Sequence, residues 1–168
     1  MSIFVWLVIF VILLAVSNYY SSKNNSGEKI ATSYHYKKKQ RIMTDHEFAF
    51  YTILNDAVGG DYYILTQAHL SSFIDHKVPK QNWKAAFRHI NSKSVDYLLC
   101  NNQTLEPVLA IELDDRTHEL EDRILRDKEI ERIFTESSLP LLRMPSHGSL
   151  TNLELKQIVN ERIDRVTP

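Results

Sequence analysis

Between Ser94 and Asp115 the chain reads SVDYLLCNNQTLEPVLAIELDD, two apolar runs on either side of a polar turn. Successive side chains of a strand point to opposite faces. Glu112 and Asp114 therefore share a face with Val108 and Ala110, while Leu109, Ile111 and Leu113 take the other. Asp96 shares its face with Leu98 and Cys100. If Asn101 to Pro107 closes an antiparallel hairpin centred on Thr104, Asp96 falls opposite Glu112, Leu98 opposite Ala110 and Cys100 opposite Val108. Facing side chains lie close enough to share one ion. A carboxylate within an apolar strand is costly unless something compensates it, and here there are three. Mg²⁺ or Mn²⁺, which prefer hard oxygen ligands, would do so at Asp96, Glu112 and Asp114. An edge position with water, or an Arg or Lys partner, would do so too.

Outward from the hairpin the pattern alternates helix and strand. Thr44-x-x-Glu47 is a capping box opening a helix over about Asp45 to Ala57, with Phe48, Tyr51, Leu54 and Val58 apolar and Gly59-Gly60 at its end. Strands are expected at about Tyr62 to Leu70, Val95 to Cys100, Pro107 to Leu113 and Leu139 to Met144. Helices are expected over His118 to Glu136 and Leu150 to Val166. This order predicts an α/β sandwich around a mixed central sheet. In the His118 helix, Leu120, Ile124, Ile130 and Phe134 form an apolar stripe. Asp127 falls within it, four residues after Arg123, the spacing of a structural ion pair. Taken alone, Gln67 is a solvent-facing polar residue, His118 a surface residue and Glu47 a capping residue.

The ordered set Thr44-Asp45-His46-Glu47, Tyr62 to Leu70 with Gln67, Ser94-Val95-Asp96-Tyr97, Ile111-Glu112-Leu113-Asp114-Asp115, His118, Arg126-Asp127 and Leu141-Leu142-Arg143 resembles the restriction-endonuclease-like PD-(D/E)xK nucleases. Within them it looks most like the bacterial domain-of-unknown-function family 2726, which is similar to the very-short-patch-repair endonucleases. The resemblance covers roughly Met43 to Met144. It implies a restriction-endonuclease-like fold and Mg²⁺-dependent hydrolysis of a DNA phosphodiester, with Asp96 and Glu112 holding the metal. The position after Glu-x carries a Lys in that superfamily and is Asp114 here. The resemblance then implies Asp114 as a third ligand, His118 or Gln67 on the nucleophile side, and Asp127 in support. A bound Mg²⁺ would lower the pKa of water and neutralise charge on the scissile phosphate.

The amino-terminal segment predicts a second function. Ile3 to Val16 is free of charge and proline, and Met1 to Tyr20 at helical rise reaches about 30 Å, roughly one bilayer core. Tyr19 and Tyr20 stand where interfacial aromatics belong, and Lys37-Lys38-Lys39-Gln40-Arg41 follows, so residues 1–20 read as a single transmembrane helix with a cytoplasmic carboxyl-terminal domain. In a bacterium that is the inner membrane. A secretory leader with a cut near Ala15-Val16-Ser17 is the other reading. Residues 21–42 read as a flexible tether and 43–168 as one domain.

Charge divides the same way. Lys23, Lys29, Lys37, Lys38, Lys39 and Arg41 against Glu28 give the tether +5, leaving 14 basic and 20 acidic residues, −6, beyond it. The tether suits anionic lipid or a phosphate backbone. Within the acidic domain, Lys77, Lys80, Lys84, Arg88 and Lys93 fall in seventeen residues without an Asp or Glu, interleaved with Trp83, Phe87 and His89. That mixture follows nucleic acid, or it is a solvated face with Trp83 and Phe87 in the core. Cys100 is the single cysteine, which excludes an internal disulfide and a cysteine-based zinc cluster. No Gly-rich phosphate loop, Gly-x-Ser-x-Gly elbow or His-Glu-x-x-His pair occurs. The expected activity is a membrane-anchored DNA endonuclease. Its rivals are a catalytically silent module of the same fold that binds nucleic acid or protein, and a structural partner in a membrane complex.

Overall fold

A computed structural model describes residues 3–25, 34–114, 121–145 and 150–165, without the side chains of 3–4, 21–25 and 121–125. Contacts divide the chain into two units, Met1–Lys38 and Lys39–Pro168. The first contains helix α1, Ile3–Asn25. Every large apolar side chain from Val5 to Val16 is exposed in it. Among the described residues no helix is long and apolar enough to cross a membrane.

The second unit has the element order α2 (Asp45–Val58), β1 (Tyr62–His69), a 3₁₀ turn, α3 (Trp83–Asn91), β2 (Ser94–Asn101), β3 (Pro107–Asp114), α4 (Glu121–Glu136), β4 (Leu141–Pro145) and α5 (Asn152–Asp164). The four strands form one sheet in chain order. β1 and β2 pair antiparallel, as do β2 and β3, while β3 and β4 run parallel. This is the expected α/β arrangement with a mixed sheet. One face packs Tyr97, Leu99, Leu109, Ile111 and Met144 against Leu54 and Val58 of α2 and Leu155 and Val159 of α5. The other packs Leu98, Cys100, Ala110 and Leu141 against Ile90 of α3 and Ile130, Ile133 and Phe134 of α4. Apolar alternation along the strands supplies both layers at once.

Local chemistry sets the element ends. The Thr44 hydroxyl accepts from the Glu47 amide at 3.3 Å while Glu47 Oε2 accepts from the Thr44 amide at 2.5 Å, closing the expected capping box. At the other end of α2, Gly59 remains right-handed, φ −64°, so it does not serve as a left-handed cap. It is glycine for room: a Cβ there would meet the Asn55 carbonyl at 2.5 Å. β4 continues through Pro145, one residue past the expected stop.

The hairpin register is half as expected. Leu98 faces Ala110, but Cys100 faces Pro107, because a bulge after Leu99 inserts Val108 as an extra residue on β3. The turn explains the shift. Asn101 Oδ1 accepts from the Gln103 and Thr104 amides at 2.8 and 3.0 Å, and Leu105, at φ 60°, returns its amide to the Asn101 carbonyl at 3.0 Å. The chain comes back one residue early.

Candidate active site

The site grows from a break in strand alternation. Tyr62 and Ile64 of β1 pack toward α2 and α5, whereas Ala68 packs toward α3 and α4. In β2, Val95 packs with the α3 and α4 layer while Tyr97 and Leu99 pack with the α2 and α5 layer. Both strands thus exchange faces at one cross-strand position. Thr66 pairs with Tyr97 and Ala68 with Val95, which brackets Gln67 and Asp96. Gln67 has φ 52°, a left-handed conformation that costs a non-glycine residue about 1–3 kcal/mol and concentrates at functional sites.

Past this point β2 and β3 separate. Their ladder ends at Tyr97 with Ile111, and Asp96 Oδ2 then accepts from the Leu113 amide at 2.8 Å. A carboxylate replaces a backbone carbonyl in the ladder, leaving Asp96 and Glu112 at the open end of the sheet. On the β1 side, the Gln67 amide donates to Glu47 Oε1 at 3.0 Å. The Tyr97 hydroxyl, on a wholly buried ring, donates to the Glu47 carbonyl at 2.5 Å, pinning the start of α2 beside the strands. On the β4 side, Arg143 pairs in register with Glu112. Its guanidinium lies 3.4 Å from Glu112 Oε2, 3.4 Å from Asp127 Oδ1 and 3.8 Å from Glu131 Oε1. Glu112 is the most buried of these acids, its side chain 15% exposed.

Electrostatics follow from this crowding. Burial pushes the Asp96 carboxyl above its ordinary value; the Leu113 amide opposes it and the neighbouring Glu47 charge adds to it. Burial also raises Glu112, against Arg143 and with help from Asp96 and Asp127. Burial would raise Glu47 too, but the Thr44 amide and hydroxyl and the Gln67 amide bring it below the usual carboxylate range. The result is one ionised acid beside two that hold protons more tightly than acids in water.

Of the sequence-derived site residues, Gln67, Asp96, Glu112 and Asp127 come together here. Asp114 differs: it lies at the end of β3 and is exposed. Its charge is solvated and needs no compensation, unlike those of Asp96 and Glu112. No cluster of three His, Cys, Asp or Glu in metal-holding geometry occurs among the described residues. His118 and Leu120 lie outside the described residues, as do the side chains of Arg123 and Ile124. Asp127 meets the Arg143 guanidinium at 3.4 Å. Lys77, Lys80, Lys84, Arg88 and Lys93 lie on α3 and its flanking segments, and none of them pairs with these acids among the described residues. Trp83 and Phe87 are 48% and 37% exposed, so they are not core residues. The core on that side closes on Ile90.

Two participants escaped the sequence reading as site residues. Taken alone Glu47 reads as a cap, yet the cap uses Oε2 and leaves Oε1 for Gln67. Arg143 carried a detectable signal, because a cation in the apolar strand Leu141-Leu142-Arg143-Met144 needs a partner as much as an anion does.

Comparison with known proteins adds one assignment. The family described as protein of unknown function (DUF2726) matches residues 39–163, and the chain belongs to it. No curated protein and no solved structure matches the chain.

Proposed function

We propose that this member of the family is a nuclease-like domain, held at a bacterial inner membrane by residues 1–20, that hydrolyses a DNA phosphodiester with the help of Mg²⁺ or Mn²⁺. The observation that carries the reading is the pair Asp96 and Glu112: two largely buried carboxylates, each raised by burial and by acidic neighbours, at the open end of β2 and β3. The mixed sheet, with α2 and α5 on one face and α3 and α4 on the other, is what supports placing the domain in the PD-(D/E)xK superfamily, with the very-short-patch-repair endonucleases as its analogy. A fold analogy alone would not license an activity.

The donor set fits Mg²⁺, which keeps several waters and needs only one or two protein carboxylates. Asp96 and Glu112 would hold it, with Asp114 reaching in from the strand end as a third ligand. Bound there, the ion would supply a water of lowered pKa and charge neutralisation at the phosphate. Gln67 orients Glu47 beside Asp96, and His118 is assigned proton transfer. Arg143 offers the positive charge that Asp114 cannot, and Asp127 holds its guanidinium. A scissile phosphate beside Glu112 would meet that guanidinium, a fork matched to phosphate oxygens.

One observation favours a second reading. Arg143 already neutralises Glu112, as an internal counter-ion would in a catalytically silent module that binds nucleic acid or protein at the membrane. Calorimetric titration of the full chain in detergent with Mn²⁺ and Mg²⁺, beside Glu112→Gln, separates the two when a DNA cleavage assay is run in the same buffer. We expect binding and cleavage, both lost in the variant; a folded wild-type protein that binds neither ion would establish the silent module. For the anchor, a reporter fused after Pro168 is expected to be active in the cytoplasm, and activity in the periplasm would reverse the topology.

A further inference from the structure

We propose that the exposed face of α3 is a stacking platform for unpaired bases, so that the nucleic acid taken by this domain is single-stranded or frayed. The inference rests on the nuclease reading for what the bound strand is delivered to, and it adds the form of the substrate. Four observations carry it.

α3 keeps one side chain, Ile90, fully in the core. Trp83 and Phe87, one turn apart and hence on one face, stay 48% and 37% exposed, although both core layers close without them. Rings left about half exposed forgo part of the few kcal/mol that full burial of each would give.

The rings are also braced. The Phe87 ring lies 5.1 Å from that of His76, and Lys84 Nζ sits 5.5 Å from the Trp83 ring centroid. Pre-positioned aromatics beside cations can accept a base on the ring face and a phosphate on the ammonium.

Positive charge is concentrated on α3 and the segments that flank it. The five cations between Lys77 and Lys93 are among 14 in the domain, leaving nine against 20 acids elsewhere. A polyanion is repelled by the rest of the domain and admitted here. Among the described residues the side chains of Lys77, Lys80 and Arg88 form no ion pair, although the Lys77 backbone amide donates to Asp75 Oδ1 at 2.8 Å.

Finally, the platform leads to the acids. The Lys93 backbone carbonyl accepts from the Leu70 amide at 2.9 Å just past the end of β1, and Asp96 follows three residues later, about 10 Å along an extended strand. Duplex bases present edges to the grooves and keep their faces covered, so rings of this kind distinguish an open strand from a closed one. Phosphate contacts alone would not.

Trp6 and Trp83 are the two tryptophans of the chain, so Trp6→Phe makes Trp83 the sole indole reporter. The test titrates that full-length chain, in detergent micelles with EDTA, with a twenty-nucleotide single strand and the matching duplex. We expect saturable quenching by the single strand at roughly tenfold or more lower concentration than by the duplex. In parallel, Trp83→Ala with Phe87→Ala should weaken single-strand binding about a hundredfold by fluorescence anisotropy of labelled DNA, while Lys84→Gln with Arg88→Gln weakens both forms. Equal affinity for duplex, or no quenching, overturns the platform. So does a Trp83 response to phosphatidylglycerol vesicles without one to DNA, which would make α3 a lipid-facing helix. Because the titration is metal-free, it stands apart from cleavage: single-strand preference here, with no hydrolysis when Mn²⁺ is supplied in the separate cleavage assay, would sink the nuclease reading and keep the platform.

Discussion

Replacing Asp96 by Asn should abolish metal-dependent cleavage, a loss of at least about a thousandfold, while making the metal-free protein more stable. The two effects have one origin. Burial and the nearby Glu47 charge raise the Asp96 carboxyl above its ordinary value, so between that value and the folded one the native state binds more protons than the unfolded chain. Stability then falls as pH rises through this range and returns on acidification. Asn removes the penalty while its carbonyl still accepts from the Leu113 amide and its amide can donate toward Glu47. The gain at pH 7 should be about 1 kcal/mol, and it should vanish below about pH 4, where the wild-type carboxyl is protonated in both states. Thermal unfolding across pH 4–8 checks this. In the wild type, Mn²⁺ should raise the melting temperature at pH 7 and lose that effect on acidification, as protons compete for the same oxygens. A destabilised Asp96→Asn at neutral pH would mean that Asp96 is a structural acid.

The physics of this trade also separates what the sequence displayed from what it concealed. Thr44 and Glu47 announce a helix start because capping is a local event, complete within four residues. Strands β1 to β4 and their order are legible because apolar alternation reports burial on two faces. The same alternation misleads where the chain departs from it. Extended through Gln67 and Asp96, it places Asp96 squarely on the Leu98 face, whereas both strands exchange faces there and Gln67 takes a left-handed backbone. Nothing local in Thr66-Gln67-Ala68 signals that, and the described side-chain partner of Gln67, Glu47, comes from another element. The bulge after Leu99 has a local cause in the Asn101 turn, but its one-residue effect on register depends on which turn forms. Trp83 and Phe87 show the reverse limit: apolar residues at helical spacing read as core unless the remaining residues are known to fill it. Arg143 was legible as a residue and hidden as a partner, because its pairing with Glu112 comes from parallel β3–β4 packing across a thirty-residue separation.

That pairing makes the loss of Arg143 costly to the fold as well as to the site. Glu112 is 15% exposed and Arg143 26%, so this is not a freely solvated surface pair of negligible worth. Removing the guanidinium leaves Glu112 beside Asp96 and Asp127, all acidic, with its nearest described counter-charge gone. Arg143→Met keeps much of the side-chain bulk and should destabilise by about 2 kcal/mol, below the 3–5 kcal/mol of fully buried pairs because solvent reaches both groups. Two rescues identify the cause. Adding Glu112→Gln should restore most of the loss, since the stranded charge is gone. Adding millimolar Mn²⁺ should restore a similar share if the ion binds at Asp96 and Glu112, because it neutralises the same oxygens. Acidification should help the single variant more than the wild type: without Arg143 the Glu112 carboxyl rises further, and its protonation relieves a larger penalty. In cleavage assays the variant should lose rate even at saturating Mn²⁺, as the ion replaces the charge on Glu112 but not the fork that meets the phosphate. Full activity at saturating metal would reduce Arg143 to a counter-ion. Rescue by Glu112→Gln without rescue by Mn²⁺ would favour the catalytically silent module, in which the arginine stands permanently where a metal would otherwise be.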